Sequence, residues 1–382
     1  MELYIHIPFC IRKCRYCSFV SYAAKEDDYE AYIRLLLKEA KSRREEMPEP
    51  VRTVYIGGGT PSLLSPVLIR ELAEGLRNIY GFDKVDEFTV EANPGTVTQA
   101  WLETAVKAGV NRVSFGMQAF QEELLILMGR IHRFEDVRKS VYLARSSGIN
   151  NVSIDLMFGI PGQTEEDWTE TLEAALSLHP EHISAYGLIP EEGTPIFDDL
   201  EKGHIHLPDP DVERKMYSET VRILRMNGLL QYEISNFARQ GYECRHNIGY
   251  WTQVPYIGLG VSAASMIGVH QGPEGMTCVR RNNPDSAESY KRMILEDSST
   301  YTFERIGVNE SRFETMMLGL RMNEGVSEEA FFRMHGIPVE ACFGGRLHDL
   351  ERKGLLVHEE GRWKMTERGF DIQNSVLVEL MD

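Results

Sequence analysis

The first two-thirds of the chain alternates short β-rich runs with helical stretches, a rhythm that a parallel sheet covered by helices satisfies and few other architectures do. Strands are expected near residues 3–7, 53–56, 87–91, 112–115, 152–156 and 182–186, with helices at 28–46, 66–80, 99–108, 134–146, 165–178 and 211–227. The helix that starts at Thr164 opens on Thr-Glu-Glu-Asp, a cap followed by an acidic first turn. Six such units predict an α/β fold, a partial (β/α)6 barrel. After Gly228 the rhythm changes to a stretch rich in glycine and aromatics, and from Pro284 onward the pattern is mostly helical, closing on a small hairpin around Leu355–His358 and Trp363–Met365. Three segments are expected: a core over 1–235, a connecting and pocket-forming region over 236–283, and a mostly helical, winged-helix-like domain over 284–382. A chain of 382 residues has room for a large domain and a smaller one.

Directly after the first expected strand stand Cys10, Cys14 and Cys17, three thiols at CxxxCxxC spacing. Three thiolates hold an iron-sulfur cube with one iron left open, where a small molecule can bind and take an electron. Zinc is the competing reading, with His6 or Cys244 completing a tetrahedron. Disulfides are disfavoured, because no apolar leader precedes the motif and the chain begins in a strand. Arg12, Lys13 and Arg15 lie between the cysteines; they either depress the thiol pKa or keep the loop soluble. Cys244, Cys278 and Cys342 are scattered, and buried or free thiols are the default for them.

Against 41 Lys and Arg stand 58 Asp and Glu, a net charge of −17. That balance opposes a broad nucleic-acid surface, so the winged-helix-like end is expected to pack or dock rather than to bind nucleic acid. No run approaches the 18 or more apolar residues of a membrane span, which excludes a spanning protein but not peripheral membrane contact. The expected location is the cytoplasm.

In a barrel of parallel strands the chemistry gathers at the carboxyl ends. Gly57-Gly58-Gly59-Thr60-Pro61 follows the second strand and lets backbone N–H groups approach a ligand; it lacks the spacing of a nucleotide P-loop, and a carboxylate or amino-acid group fits it better. Glu91 ends the third strand, Gln118 follows the fourth, and Asp155 sits in the fifth. Their recurrence suits the hydroxyls and amino group of a nucleoside ligand, with Arg130 as the available cation.

Taken together, Tyr-x-His-Ile-Pro-Phe-Cys-x3-Cys-x2-Cys, Gly-Gly-Gly-Thr-Pro, Val-Glu-Ala-Asn-Pro, Ser-Phe-Gly-Met-Gln and Asp-Leu-Met-Phe-Gly-Ile-Pro-Gly-Gln-Thr resemble the radical S-adenosylmethionine (radical SAM) proteins of the oxygen-independent coproporphyrinogen oxidase group, over nearly the whole chain. The resemblance implies a [4Fe-4S] cluster on Cys10, Cys14 and Cys17. It also implies S-adenosylmethionine bound at Tyr4, Gly58, Gly59, Thr60, Glu91, Gln118, Arg130 and Asp155, and reductive cleavage of its sulfonium with an electron from a donor such as flavodoxin or ferredoxin. Met317–Arg321 and Gly325-Val326 resemble the HemN-type C-terminal domain.

Within the group, the oxidase carries a fourth cysteine two residues after the third and a long segment ahead of the first. Here the position is Phe19, and nine residues precede Cys10. The chain instead carries His246-Asn247-Ile248-Gly249-Tyr250-Trp251, which matches the HNxxYW signature of the HemW heme chaperones. That match implies heme as a cofactor or cargo, a heme-accepting partner protein and His246 as an axial ligand, with Tyr250 and Trp251 offering flat surface to the porphyrin. Cys244 is the alternative ligand. The rival reading is an oxygen-independent coproporphyrinogen III oxidase, which decarboxylates propionate side chains.

Overall fold

Period-two alternation decides the architecture. In β1 (Glu2–Ile7), β2 (Thr53–Gly58), β3 (Glu87–Ala92), β4 (Arg112–Gln118), β5 (Asn151–Phe158) and β6 (His182–Gly187), one set of alternate side chains is apolar. Leu3, Ile5, Ile7, Val54, Ile56, Val113, Phe115, Val152, Ile154 and Leu156 are all fully buried, and they join one core with the helices that cover the sheet. The other set, which includes Tyr4, Tyr55, Glu91, Ser114 and Asp155, points to the opposite face. The computed structural model describes residues 1–272, 275–296 and 300–381.

The six strands pair in sequence order and in parallel. Helices Glu26–Ser42, Pro66–Tyr80, Gln99–Lys107, Phe134–Ser146, Glu165–Leu176 and Pro210–Met226 return the chain after successive strands, and this is the partial (β/α)6 barrel. Caps fix where they start: Ser65, Thr98 and Thr164 accept from the backbone N–H three residues on, and the Thr164 N–H donates in return to the Asp167 carboxylate.

The sheet runs further than its parallel half. β8 (Asn236–Ala238) adds antiparallel to β6, and β7 (Leu230–Glu233) adds antiparallel to β8 at the edge. On the other side β9 (Tyr256–Leu259) pairs in parallel with β1, so the first strand of the chain is an interior one. Then β10 (Ala264–Gly272), β11 (Gly275–Asn282) and β12 (Thr302–Ile306) follow in antiparallel register. The stretch read from sequence as weakly periodic thus contributes strands to the main sheet and one short helix, Arg245–Trp251.

Beyond Val308 a second core forms around Phe331, Leu347, Leu350 and Trp363. Helices Val308–Gly319, Glu328–His335 and Val339–Arg352 pack with a three-stranded antiparallel sheet of β13 (Val326–Ser327), β14 (Leu356–Glu359) and β15 (Arg362–Met365), in the order β13-β15-β14. This is the winged-helix-like arrangement.

Candidate functional site

The cysteine loop hangs from the carboxyl end of β1. Phe9 is buried and pinned by Tyr29 and Tyr32, with ring centroids 4.3 and 5.2 Å away. The loop is tied back by Cys10 N–H to Tyr22 O (3.1 Å) and Arg15 N–H to Met128 O (2.9 Å). The thiols of Cys10, Cys14 and Cys17 are free and partly exposed, and burial pushes the Cys17 thiol up. Of the cations between the cysteines, Lys13 donates to Phe19 O and Arg15 pairs with Asp199 and donates to Leu127 O. Those two therefore brace the loop.

The cation at the sulfurs is Arg130. Its Nη1 donates to Cys14 Sγ (3.5 Å) and its Nη2 to Asn93 Oδ1 (3.1 Å) and Gly116 O (2.5 Å). Asn93 Nδ2 donates to Thr60 Oγ1 (2.8 Å), and Thr60 Oγ1 donates to Cys10 Sγ (3.6 Å). One chain of donors thus runs from Cys14 to Cys10 through Arg130, Asn93 and Thr60, the last two just past the ends of β3 and β2. Donors aimed at sulfur stabilise thiolate, which is what an iron-sulfur cluster requires. Zinc loses its fourth ligand here. Both ring nitrogens of His6 are engaged, by Tyr4 Oη (3.1 Å) and Val20 O (2.8 Å), and Cys244 Sγ lies far from the loop, bonded to Glu87 Oε1 (3.4 Å) at the opposite end of the barrel.

Next to the loop, the glycines at the carboxyl end of β2 make a cradle that a side chain would fill. Gly58 has φ +109°, and a Cβ there would lie 2.5 Å from the His6 ring; one on Gly59 would lie 2.6 Å from Phe9 O. Glu91 accepts from Tyr55 Oη (2.8 Å) and from Gly58 N–H (3.0 Å). Burial, then the charge of Asp155, pushes its carboxyl up to about 7. Asp155 accepts from Ser114 (2.8 Å), and burial raises its pKa too. Gln118 ends β4 at φ +67°, where the register with β5 slips, and its amide lies beside Arg130 over Gly116. Tyr4 stacks on Tyr55, 6.3 Å between centroids. The predicted polar residues thus share one interior, joined by Tyr55 and Asn93, which the sequence reading did not single out. Asn93 was within reach, inside the quoted Val-Glu-Ala-Asn-Pro motif.

His246 is elsewhere. Its Nδ1 is 2.7 Å from Thr53 Oγ1 and its Nε2 is 2.9 Å from Tyr250 Oη. The ring stacks on Tyr55 (5.1 Å, 25°) and is 1 % exposed. Thr53 is the first residue of β2 and Gly58 its last, so His246 sits at the amino ends of the strands and the cysteine loop at the carboxyl ends. Burial drives the imidazole down to about 3, which keeps it neutral. With both nitrogens engaged, neither is open to iron in this arrangement. Cys244 is no better placed as a ligand, since burial pushes its thiol up and Glu87 holds it. Tyr250 and Trp251 do not share a surface, because consecutive helical residues diverge. Trp251 faces Arg321, while Tyr250 packs edge-on to Tyr256 at 4.7 Å. A cavity of about 480 Å³ lies against Tyr250 and Tyr256 and extends to Ser18, Phe19 and Val20, just after Cys17.

The radical SAM superfamily model matches residues 4–175, and the HemN C-terminal domain model matches residues 308–372. The heme chaperone HemW of Bacillus subtilis is 36 % identical over 98 % of this chain and 97 % of its own length. The chain belongs to the HemW heme-chaperone family. The Escherichia coli heme chaperone HemW is 33 % identical over 99 % of the chain and 97 % of its own length. Among solved structures, the coproporphyrinogen III oxidase HemN of Escherichia coli, a radical SAM enzyme, superposes with a TM-score of 0.82 at 23 % identity over 99 % of this chain and 89 % of its own. That likeness establishes the fold. Membership of the radical SAM superfamily implies a [4Fe-4S] cluster, S-adenosylmethionine and an electron donor. No helix among the described residues is long and apolar enough to cross a membrane.

Proposed function

We propose that the chain binds heme and hands it to an acceptor protein from a radical SAM scaffold. The observation that carries this reading is one of position. Helix Arg245–Trp251, which bears the His-Asn-Ile-Gly-Tyr-Trp run, presents Tyr250 to a cavity that reaches the residues just after the cysteine loop. Full-length similarity to named heme chaperones supports it, and so does Phe19 at the oxidase's fourth cysteine position.

Cys10, Cys14 and Cys17 would hold the cluster, with Arg130 and Thr60 as donors to sulfur. Gly58 and Gly59 would admit the amino-acid end of S-adenosylmethionine. Tyr4, Thr60, Glu91, Gln118, Arg130 and Asp155 would face its polar groups. When bound, the cluster supplies the electron that cleaves the sulfonium. The electron donor, of the flavodoxin or ferredoxin type, would approach the exposed loop. His246 enters the heme site through Tyr250. The proposed location is cytoplasmic, with delivery at the membrane face.

The test is anaerobic reconstitution with iron and sulfide, then hemin titration, transfer to a heme-free acceptor, and an assay for consumption of coproporphyrinogen III. Hemin binding with transfer and no porphyrinogen turnover is expected. Robust turnover would move the chain to the oxidases, and absence of hemin binding would remove the chaperone reading.

A further inference from the structure

Three features of the cavity beside β1 are unexplained by a radical SAM site alone. Gln253 lines it and is 5 % exposed. Its Oε1 accepts from Thr315 Oγ1 (2.5 Å), while its Nε2 has no partner among the described residues. A buried donor left unpaired has given up water and received nothing in exchange. The residue also sits at φ +58°, a region that side chains other than glycine's rarely adopt, so the backbone holds this amide in place against its preference. Arg280 of β11 is the cation in the lining, paired with Glu314 at 2.8 Å and set in one cross-strand row with Met266 and Tyr256. Tyr250, Tyr256 and Met266 give the lining its apolar, aromatic surface. The volume is that of a small-molecule pocket. A ligand complementary to these walls is flat and apolar and carries a carboxylate at one edge.

His246 does not line the cavity. It touches Tyr250 Oη from behind and, through Thr53, is anchored to the foot of β2.

We propose that this cavity is the porphyrin chamber, that Gln253 Nε2 and Arg280 take a porphyrin carboxylate, and that His246 is a positioning residue that holds Tyr250 against the ring rather than an iron ligand. The assignment rests on the heme reading and deepens it. The porphyrin is then recognised by its ring and its carboxylate, and iron is not needed for binding.

The test is titration of the reconstituted full chain with hemin and with metal-free protoporphyrin IX. Both bind, with affinities within about tenfold of each other. Gln253→Leu weakens both by about tenfold or more, the loss of one hydrogen bond to a charged group. The dimethyl ester of protoporphyrin IX, which has no carboxylate, binds wild type and Gln253→Leu alike. Leu318→Trp, which fills the chamber, abolishes binding of both porphyrins. His246→Gln weakens hemin but leaves its Soret maximum where it is in wild type, because no ligand to iron has been removed.

Hemin binding without protoporphyrin binding overturns the chamber while leaving the heme reading standing. So does unchanged affinity in Gln253→Leu, or a His246→Gln spectrum that reports a lost axial ligand. A wild-type chain that binds no hemin overturns the heme reading itself and this assignment with it. If Leu318→Trp does not fold, Gln253→Leu decides, since it is close in volume to the native side chain.

Discussion

Glu2, Glu87, Glu91, Arg112 and Asp155 all lie inside the first five strands, whereas the module after Val308 is filled by Phe331, Leu347, Leu350 and Trp363. The two regions are built by opposite means. The module closes mainly on apolar packing, although it too buries His335 and Gln373 and leaves Trp363 Nε1 without a partner among the described residues. The strand interior holds carboxyls that burial drives upward, to about 9 at Glu2 and about 7 at Glu91, and it leaves Glu2 Oε2 and Arg112 Nε without partners among the described residues. An interior of this kind trades stability for binding capacity. The strand half is thus the one that carries buried ionisable groups, and the C-terminal module the more inert one.

The sharpest way to break that contrast is to open the inert core. Trp363→Ala removes a fully buried ring and should lower stability by about 3 to 5 kcal/mol in denaturant unfolding. A loss under 1 kcal/mol would show that the module is not held by its core. Next comes Glu91. Its folded-state carboxyl lies above the unfolded value of 4.5, so the protonated folded form is favoured; its contribution is whole below about pH 4.5, declines as pH rises, and is gone above about 7. Glu91→Gln should flatten this limb and raise stability at pH 8 by about 3 kcal/mol; a limb of unchanged slope would remove Glu91 as its source. His246 acts on the acid side with the opposite sign. Its folded value of about 3 lies below the unfolded 6.5, so stability present above 6.5 is lost as pH falls, and His246→Gln should flatten that limb.

A smaller effect is expected of Thr53→Val, which takes away the hydroxyl at His246 Nδ1 and should cost about 1 to 2 kcal/mol in thermal unfolding. Parity with wild type would mean that the imidazole finds another partner, with Glu2 Oε2 at 3.9 Å the nearest acceptor. The smallest is Arg222→Ala, which breaks an exposed pair with Glu219 and should leave the unfolding midpoint where it is in wild type. A lowered midpoint there would place strain outside the interior.

What could be read from the sequence follows the same division. The six parallel strands were legible because each alternates strictly and is bounded by turn residues; 53–56, for example, was expected and Thr53–Gly58 is observed. The cysteine trio and the strand-end carboxyls were legible for the same reason, being fixed in position by their strands. Helix Arg245–Trp251 was not. It is seven residues long without apolar periodicity, and its first N–H groups are capped by Glu87, 158 residues upstream of Arg245. Strand Tyr256–Leu259 was missed because four residues carry too little pattern. The seclusion of His246 is likewise tertiary: a histidine among aromatics reads as a ligand until Thr53 and Tyr250 are seen to claim both nitrogens.

Because β1 lies between β2 and β9, with Glu2 facing both Thr53 and Tyr256, the strand that carries the cysteine loop is completed only by a segment far downstream in the chain. At ordinary translation rates its second neighbour emerges about 10 to 50 seconds later. Until then the cysteine loop hangs from a strand with one bare edge. The sheet around the cysteine loop is therefore closed on both sides only once its far end has been made.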